Sequence, residues 1–169
     1  KYLEYLNELN ELTDEQKSFC QGIGKEFVKL LENTNMTKVY KMPVLMAFYN
    51  HGDVRMEVTE TEFLASWKEF FSTGTNWKDL DTGITYEQYC KISDKDHIKK
   101  IINMPVNFLV KSGKGFFVKK EDSALALRDE MKEIIRNPVL AQQMKDVIEY
   151  RVMDYYQRRY KEQMTGLLQ

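Results

Sequence analysis

The sequence predicts a mainly α-helical protein with small β-hairpins, built as one or two winged-helix-like modules and closed by a long C-terminal helix. Three observations predict it. Apolar residues recur at helical spacing through most of the chain, and the longest such stripe follows Asn137-Pro138. Alternating strand-like runs occur only around residues 54–58 and 116–127. The 35 residues Asp94–Arg128 carry eight Lys and Arg against four acids, a net of +4 in a chain whose total is −1. A helix pair followed by a basic hairpin is the order in which a winged helix is written.

The elements follow in order. Tyr2, Leu3, Tyr5, Leu6, Leu9 and Leu12 give an amphipathic helix over 2–12. Thr13 and Gln16 form a capping box that restarts the chain. The next helix reaches about Glu32, burying Phe19, Ile23, Phe27, Leu30 and Leu31, with Gly22 and Gly24 marking weakness or close packing. A third helix starts near Lys41, tolerates Pro43 in its first turn and extends to Gly52. Val54, Met56 and Val58 then alternate as a short strand. Thr59 and Glu62 make a second capping box before the stripe Phe63, Leu64, Trp67, Phe70 and Phe71.

Ser72–Tyr86 reads as a loop with one helical turn near Trp77–Leu80, and it is the expected module boundary. Asp94 is the expected cap of a helix carrying Ile98, Ile101 and Ile102, and Asn103 with Pro105 the start of another. Gly113 and Gly115 bracket Lys114, and a hairpin turns at Asp122-Ser123. The last helix is expected to run to about Met164. Three stretches result: an N-terminal helical segment (1–37), a helix–strand–helix module (38–90) and a winged-helix-like module with the long helix (91–169). Met42-Pro43-Val44 and Met104-Pro105-Val106 hint at a repeat, an echo that coincidence explains equally well.

Composition bounds the function. With 43% apolar and 30% charged residues, and no run near the roughly 20 apolar residues that span a bilayer, the expectation is a cytoplasmic protein without membrane contact. Two cysteines, Cys20 and Cys90, lack metal-binding spacing. The chain opens at Lys1 inside a helical pattern, which suggests a segment of a longer protein.

Catalytic motifs fail one by one. Gly22-Ile23-Gly24-Lys25 resembles the end of a phosphate loop, but Phe19 replaces the first Gly and Glu26 the hydroxyl residue. Gly113-Lys114-Gly115 starts a dinucleotide fingerprint that Val118 breaks. His51 and His97 have no nucleophile beside them, so surface positions are expected. Asp122, Glu130 and Lys132 match the residue order of a metal-dependent nuclease, yet positions i and i+2 of a helix diverge. No catalytic residue, metal ligand or bound cofactor is expected.

The basic constellation remains. In the winged-helix reading, Asn107 and Lys111 point from the recognition helix and Lys114 sits in the turn. Lys119 and Lys120 lie on the hairpin, and Lys99 and Lys100 face backbone phosphate from the preceding helix. Arg158 and Arg159, interleaved with tyrosines on the last helix, form a second cluster. Lysine grips phosphate and reads bases poorly, so DNA or RNA would bind without strong sequence preference. The competing reading is a solvated Lys-rich face.

The run Tyr40-Lys41-Met42-Pro43-Val44-Leu45-Met46-Ala47-Phe48-Tyr49, then Gly52, Glu62-Phe63 and Trp67-Lys68-Glu69-Phe70-Phe71, resembles a module of bacterial DEAD/DEAH-box helicases. Pro105-Val106-Asn107-Phe108-Leu109, Gly115-Phe116-Phe117 and Ile148-Glu149-Tyr150-Arg151 with Asp154-Tyr155-Tyr156 and Arg158-Arg159-Tyr160 add to the similarity. It implies a C-terminal accessory region of a superfamily 2 helicase of the restriction or phage-defence type. ATP and magnesium would then belong only to the motor domains of the same polypeptide, which would also be its partners. The leading expectation is a non-catalytic domain engaging nucleic acid through phosphate contacts. The alternatives are a protein-interaction domain docking on the motor or a partner subunit, and a metal-dependent nuclease.

Overall fold

The computed structural model describes residues 2–168. Its helices are α1 (Tyr2–Glu8), α2 (Asp14–Gln21), α3 (Ile23–Asn33), α4 (Lys41–Met46), α5 (Glu60–Ser72), α6 (Tyr86–Cys90), α7 (Asp94–Ile101), α8 (Asn107–Ser112) and α9 (Pro138–Leu168). The strands are β1 (Tyr49–Asn50), β2 (Asp53–Val54), β3 (Glu57–Val58), β4 (Phe117–Lys120) and β5 (Ser123–Leu127). The expected class is therefore present: mainly helix, small antiparallel sheets and a long closing helix.

Local chemistry sets the boundaries. Helix α1 stops four residues short of expectation because Asn10 takes a left-handed conformation at φ 56°. Its neighbour's amide, Glu11 N–H, closes back on Leu6 O, the cap that lets Asn end a helix. The two capping boxes form as read, at Thr13 with Gln16 and Thr59 with Glu62. A third, Thr85 with Gln88, starts α6. Ser93, one residue before Asp94, accepts the Asp96 amide and caps α7.

The helix expected over 14–32 is two helices. Gly22 is extended and separates α2 from α3. Gly24 serves packing, since a Cβ there would lie 3.0 Å from both Phe19 and Ile134. The helix at Lys41 ends at Met46, far before Gly52, because His51 and Gly52 both take positive φ (46° and 98°). That pair makes the two-residue turn whose twist suits a hairpin, joining Tyr49 to Val54 and Asn50 to Asp53. The strand expected over 54–58 is consequently split between two sheets.

Pro105 starts no helix. The backbone stays helical from Asp94 to Ser112, and Ile102–Val106 forms one widened π turn that absorbs the proline. The buried row along this run is His97, Ile101, Pro105 with Val106, and Leu109. Pro43, by contrast, sits in the first turn of a six-residue helix. The two Met-Pro-Val segments thus have different structures, and the echo between them is not a structural repeat.

The second sheet carries the topology. Its order is β3-β5-β4, all antiparallel, with Glu57 opposite Ala126 and Val118 opposite Ala126 across the other edge. Thus β3, from the stretch 38–90, completes the sheet of the hairpin in 91–169. Connectivity runs α4, β3, α5, α7–α8, β4, β5.

Residues from all three stretches enter one apolar core. Phe117 of β4 packs 5.9 Å from Phe27 of α3 and 5.8 Å from Phe48, which lies 6.0 Å from Phe63 of α5. Trp67 and Phe71 pack with ring centres 4.7 Å apart and planes tilted by 57° on the α5 face toward α7. Helix α9 covers this core from the α3 side with Leu140, Ala141, Met144 and Ile148, all buried. Aromatic pairs of this kind add about 0.5–1.5 kcal/mol each beyond area burial.

Gly113 is the tightest point of the backbone, where a Cβ would meet Leu109 O at 2.3 Å and Phe117 at 2.8 Å. Gly113→Ala therefore has to push apart the helix end and the first strand of the hairpin. Urea unfolding should show a loss of about 1–3 kcal/mol, whereas Gly74→Ala, with open space around it, should lose only the strain of its positive φ.

Candidate nucleic-acid interface

The nine residues singled out in the sequence separate into two groups. Five are open. Lys99, Lys111, Lys114 and Lys119 are exposed and Asn107 is half-buried. Lys114 occupies a left-handed turn position at φ 51°, followed by Gly115 at φ 80°. Lys119 falls where the β4–β5 register shifts between Val118 and Lys120.

The other four are engaged within the protein. Lys100 Nζ donates to Leu80 O at 2.8 Å and to Asp81 Oδ1 at 2.6 Å, and it lies 5.1 Å from the centre of the Tyr40 ring. Lys120 bonds Glu57 at 3.1 Å, clipping β4 across the sheet to β3. Arg158 pairs with Asp154 one turn back at 3.0 Å. Arg159 pairs with Asp79, whose side chain is 5% exposed and also accepts the Tyr155 hydroxyl at 3.2 Å. The hairpin tip itself, Glu121-Asp122, is acidic and exposed, which leaves Lys119 as the exposed hairpin lysine without an ion pair among the described residues.

Because α7 and α8 are one helical run, a feature hidden by the expected break becomes visible. Lys95, Lys99, Asn103, Asn107 and Lys111 follow one another at intervals of four, the spacing of a surface ridge. All but Asn107 are exposed. Phe108, 48% exposed, stands beside the ridge's C-terminal end. Lys95, Asn103 and Phe108 were not among the site residues expected from the sequence. The signal for Lys95 and Asn103 was the spacing of four, lost once Pro105 was taken as a helix start; Phe108 lies outside that series. Among the described residues none of Lys95, Lys99, Lys111, Lys114 or Lys119 has an ion-pair partner.

His97 is buried at 3% exposure, contrary to its expected surface position, and His51 is exposed in the hairpin turn. The Trp67 indole N–H donates to His97 Nδ1 at 3.2 Å, which requires a neutral ring there. Burial, helped by nearby Lys68, holds the imidazole pKa below its usual range. Lys41 is also buried, donating to Thr34 Oγ1 at 3.0 Å and Asn35 O at 2.6 Å. Arg151 donates to Leu31 O at 2.9 Å and Thr34 O at 2.7 Å. Arg151 thus satisfies carbonyls at the C-terminal end of α3, Lys41 holds the turn just after it, and both cations complement the helix dipole. Burial and the mutual repulsion with Arg151 push the Lys41 pKa down.

Glu130 and Lys132 lie on the short 3-10 turn Asp129–Glu133, paired with Arg128 at 3.7 Å and Asp129 at 3.4 Å. Among the described residues no cluster of three His, Cys, Asp or Glu could hold a metal ion. No described helix is long and apolar enough to cross a membrane. Comparison with protein families, curated proteins and solved structures finds no match.

Two outcomes follow from the buried groups. Arg159→Ala leaves the Asp79 carboxylate buried beside one hydroxyl, so chemical denaturation should show a loss of about 3 kcal/mol. His97 is held neutral in the folded state, so its folded pKa lies below the unfolded value of about 6.5. Its stabilising contribution is present above that pH and is lost as pH falls through the folded value. Unfolding midpoints measured from neutral to mildly acidic pH should fall for the wild type, and His97→Gln should lower the neutral-pH midpoint while flattening that decline.

Proposed function

We propose that this chain is a non-catalytic domain that grips the phosphate backbone of DNA or RNA along the α7–α8 ridge. The observation that carries the reading is the row Lys95, Lys99, Asn103, Asn107 and Lys111 on one solvent-facing ridge. Lys114 and Lys119 extend it toward the hairpin. Three further features support it. Leaving aside the β1–β2 hairpin and α6, the order helix, strand, helix, helix, hairpin, with the first strand on the second strand of the hairpin, is compatible with a winged helix. The helical run α7–α8 occupies the recognition position in that order. The chain's negative charge elsewhere would limit indiscriminate adhesion.

The ridge contains lysines and asparagines but no arginine, which suits contacts to phosphate and sugar with little base discrimination. Phe108 at its end offers a face on which an unpaired base could stack. Within the helicase resemblance, the domain would hold a strand or duplex while motor domains elsewhere in the polypeptide hydrolyse ATP with magnesium.

Salt tests the reading, because each neutralised phosphate releases a counterion. With five free lysines engaged on a duplex, affinity measured by fluorescence anisotropy should fall a few hundredfold between about 50 and 200 mM salt. Reversing Lys99, Lys111, Lys114 and Lys119 to Glu should abolish binding at low salt while the circular dichroism spectrum stays unchanged. Absence of low-salt binding by the wild type, or binding indifferent to the reversal, would refute the proposal and favour the protein-docking alternative.

A further inference from the structure

Helix α9 is longer than the core it covers. Leu140, Ala141, Met144 and Ile148 are buried, but every residue from Tyr160 to Leu167 is exposed. The uncovered part is not polar all round. Tyr150, Met153, Tyr160, Met164 and Leu167 are 62%, 51%, 63%, 61% and 83% exposed. With Gln157 they occupy successive positions three and four apart, which is the seam of a coiled coil. The seam begins inside the core-covering half and continues past its end. It also borders a groove of about 970 Å³ between α1, α2, α3 and α9, lined by Tyr2, Leu3, Phe19, Val147 and Tyr150.

We propose that this seam pairs antiparallel with the same seam of a second copy of the chain. Self-pairing in this direction sets Tyr150 against Leu167 of the other copy, Met153 against Met164 and Gln157 against Tyr160. Each contact occurs twice about the two-fold axis. The central layer then matches an amide to a phenol hydroxyl, a polar pair of the kind that fixes register. The flanking charges choose the direction. Asp154 and Lys161 both lie at the position following the seam, and the antiparallel arrangement brings Asp154 of one copy to Lys161 of the other, twice. The parallel arrangement sets Glu149 of one copy toward Asp154 of the other, twice, and is repelled.

The seam spans 18 residues, about 27 Å of helix. Four tyrosines, four methionines and two leucines from the pair would bury on the order of 1,000 Å² beyond their present cover, the lower end of a specific interface. Micromolar self-association is expected. In the dimer the helix end of one copy would reach the groove beside Tyr2 of the other.

Sedimentation velocity of the whole chain, from low micromolar to near-millimolar concentration, decides. A reversible monomer–dimer equilibrium is expected for the wild type. Met164→Glu with Leu167→Glu, both at exposed positions, should weaken it at least tenfold with an unchanged circular dichroism spectrum. Asp154→Lys and Lys161→Asp should each weaken it, and the two together should restore it. A wild type monomeric throughout, a dimer indifferent to the Met164 and Leu167 changes, or a double charge swap that fails to restore association would each overturn the proposal.

Discussion

The segment Asp79-Leu80-Asp81 is the point on which the arrangement depends. Asp79 is buried and holds Arg159 and Tyr155 of α9. The carbonyl of Leu80 accepts the Tyr40 hydroxyl at the start of α4 and the Lys100 ammonium from α7. Asp81 completes the Lys100 pair. Three helices that are distant in sequence thereby meet on three consecutive residues. A buried carboxylate is costly unless fully partnered, and a carbonyl accepting two donors is specific about where those donors sit. Together with the Trp67–His97 and Lys68–Asp94 contacts from α5, this knot sets the position of α7 and so the direction in which the ridge faces.

The same knot sorts the basic side chains. Lys100, one residue from Lys99, is turned inward to the knot, while Lys99 faces solvent. Arg159 is consumed by Asp79 and Arg151 by the end of α3, so the basic character of α9 is largely structural. Lys120 is spent joining β4 to β3. Within Asp94–Arg128, the lysines left without an ion pair among the described residues form a narrow line along α7–α8 and its continuation at Lys114 and Lys119. A charge count over Asp94–Arg128 sees the total but not this division, because neighbours in sequence on a helix point a hundred degrees apart.

Legibility in the sequence followed the range of the forces involved. Capping boxes at Thr13 and Thr59, the long closing helix and the β4–β5 hairpin depend on neighbours within a few residues, and they were readable. Pro105 was misread because a proline at a helix start and one absorbed by a widened turn leave the same trace. Only the packing of Ile101, Val106 and Leu109 on one side distinguishes them. His97 was placed outside because its burial relies on the Trp67 indole, 30 residues away. The loop around Asp79, rich in Gly, Thr and Asp, has the composition of a boundary. It is the reverse, since its polar groups are partnered by residues from Tyr40 to Arg159. The sheet partnership of β3 with β5 is equally remote, and the division into tandem modules missed it.

A lysine-acetylation footprint read by mass spectrometry, with and without a short duplex, tests the division of cations most directly. The account predicts protection of Lys95, Lys99, Lys111, Lys114 and Lys119. Lys100 should react slowly in both states, and Lys17 and Lys29 should react equally in both. Uniform protection across the chain, or protection confined to the N-terminal helices with the ridge unchanged, would contradict it.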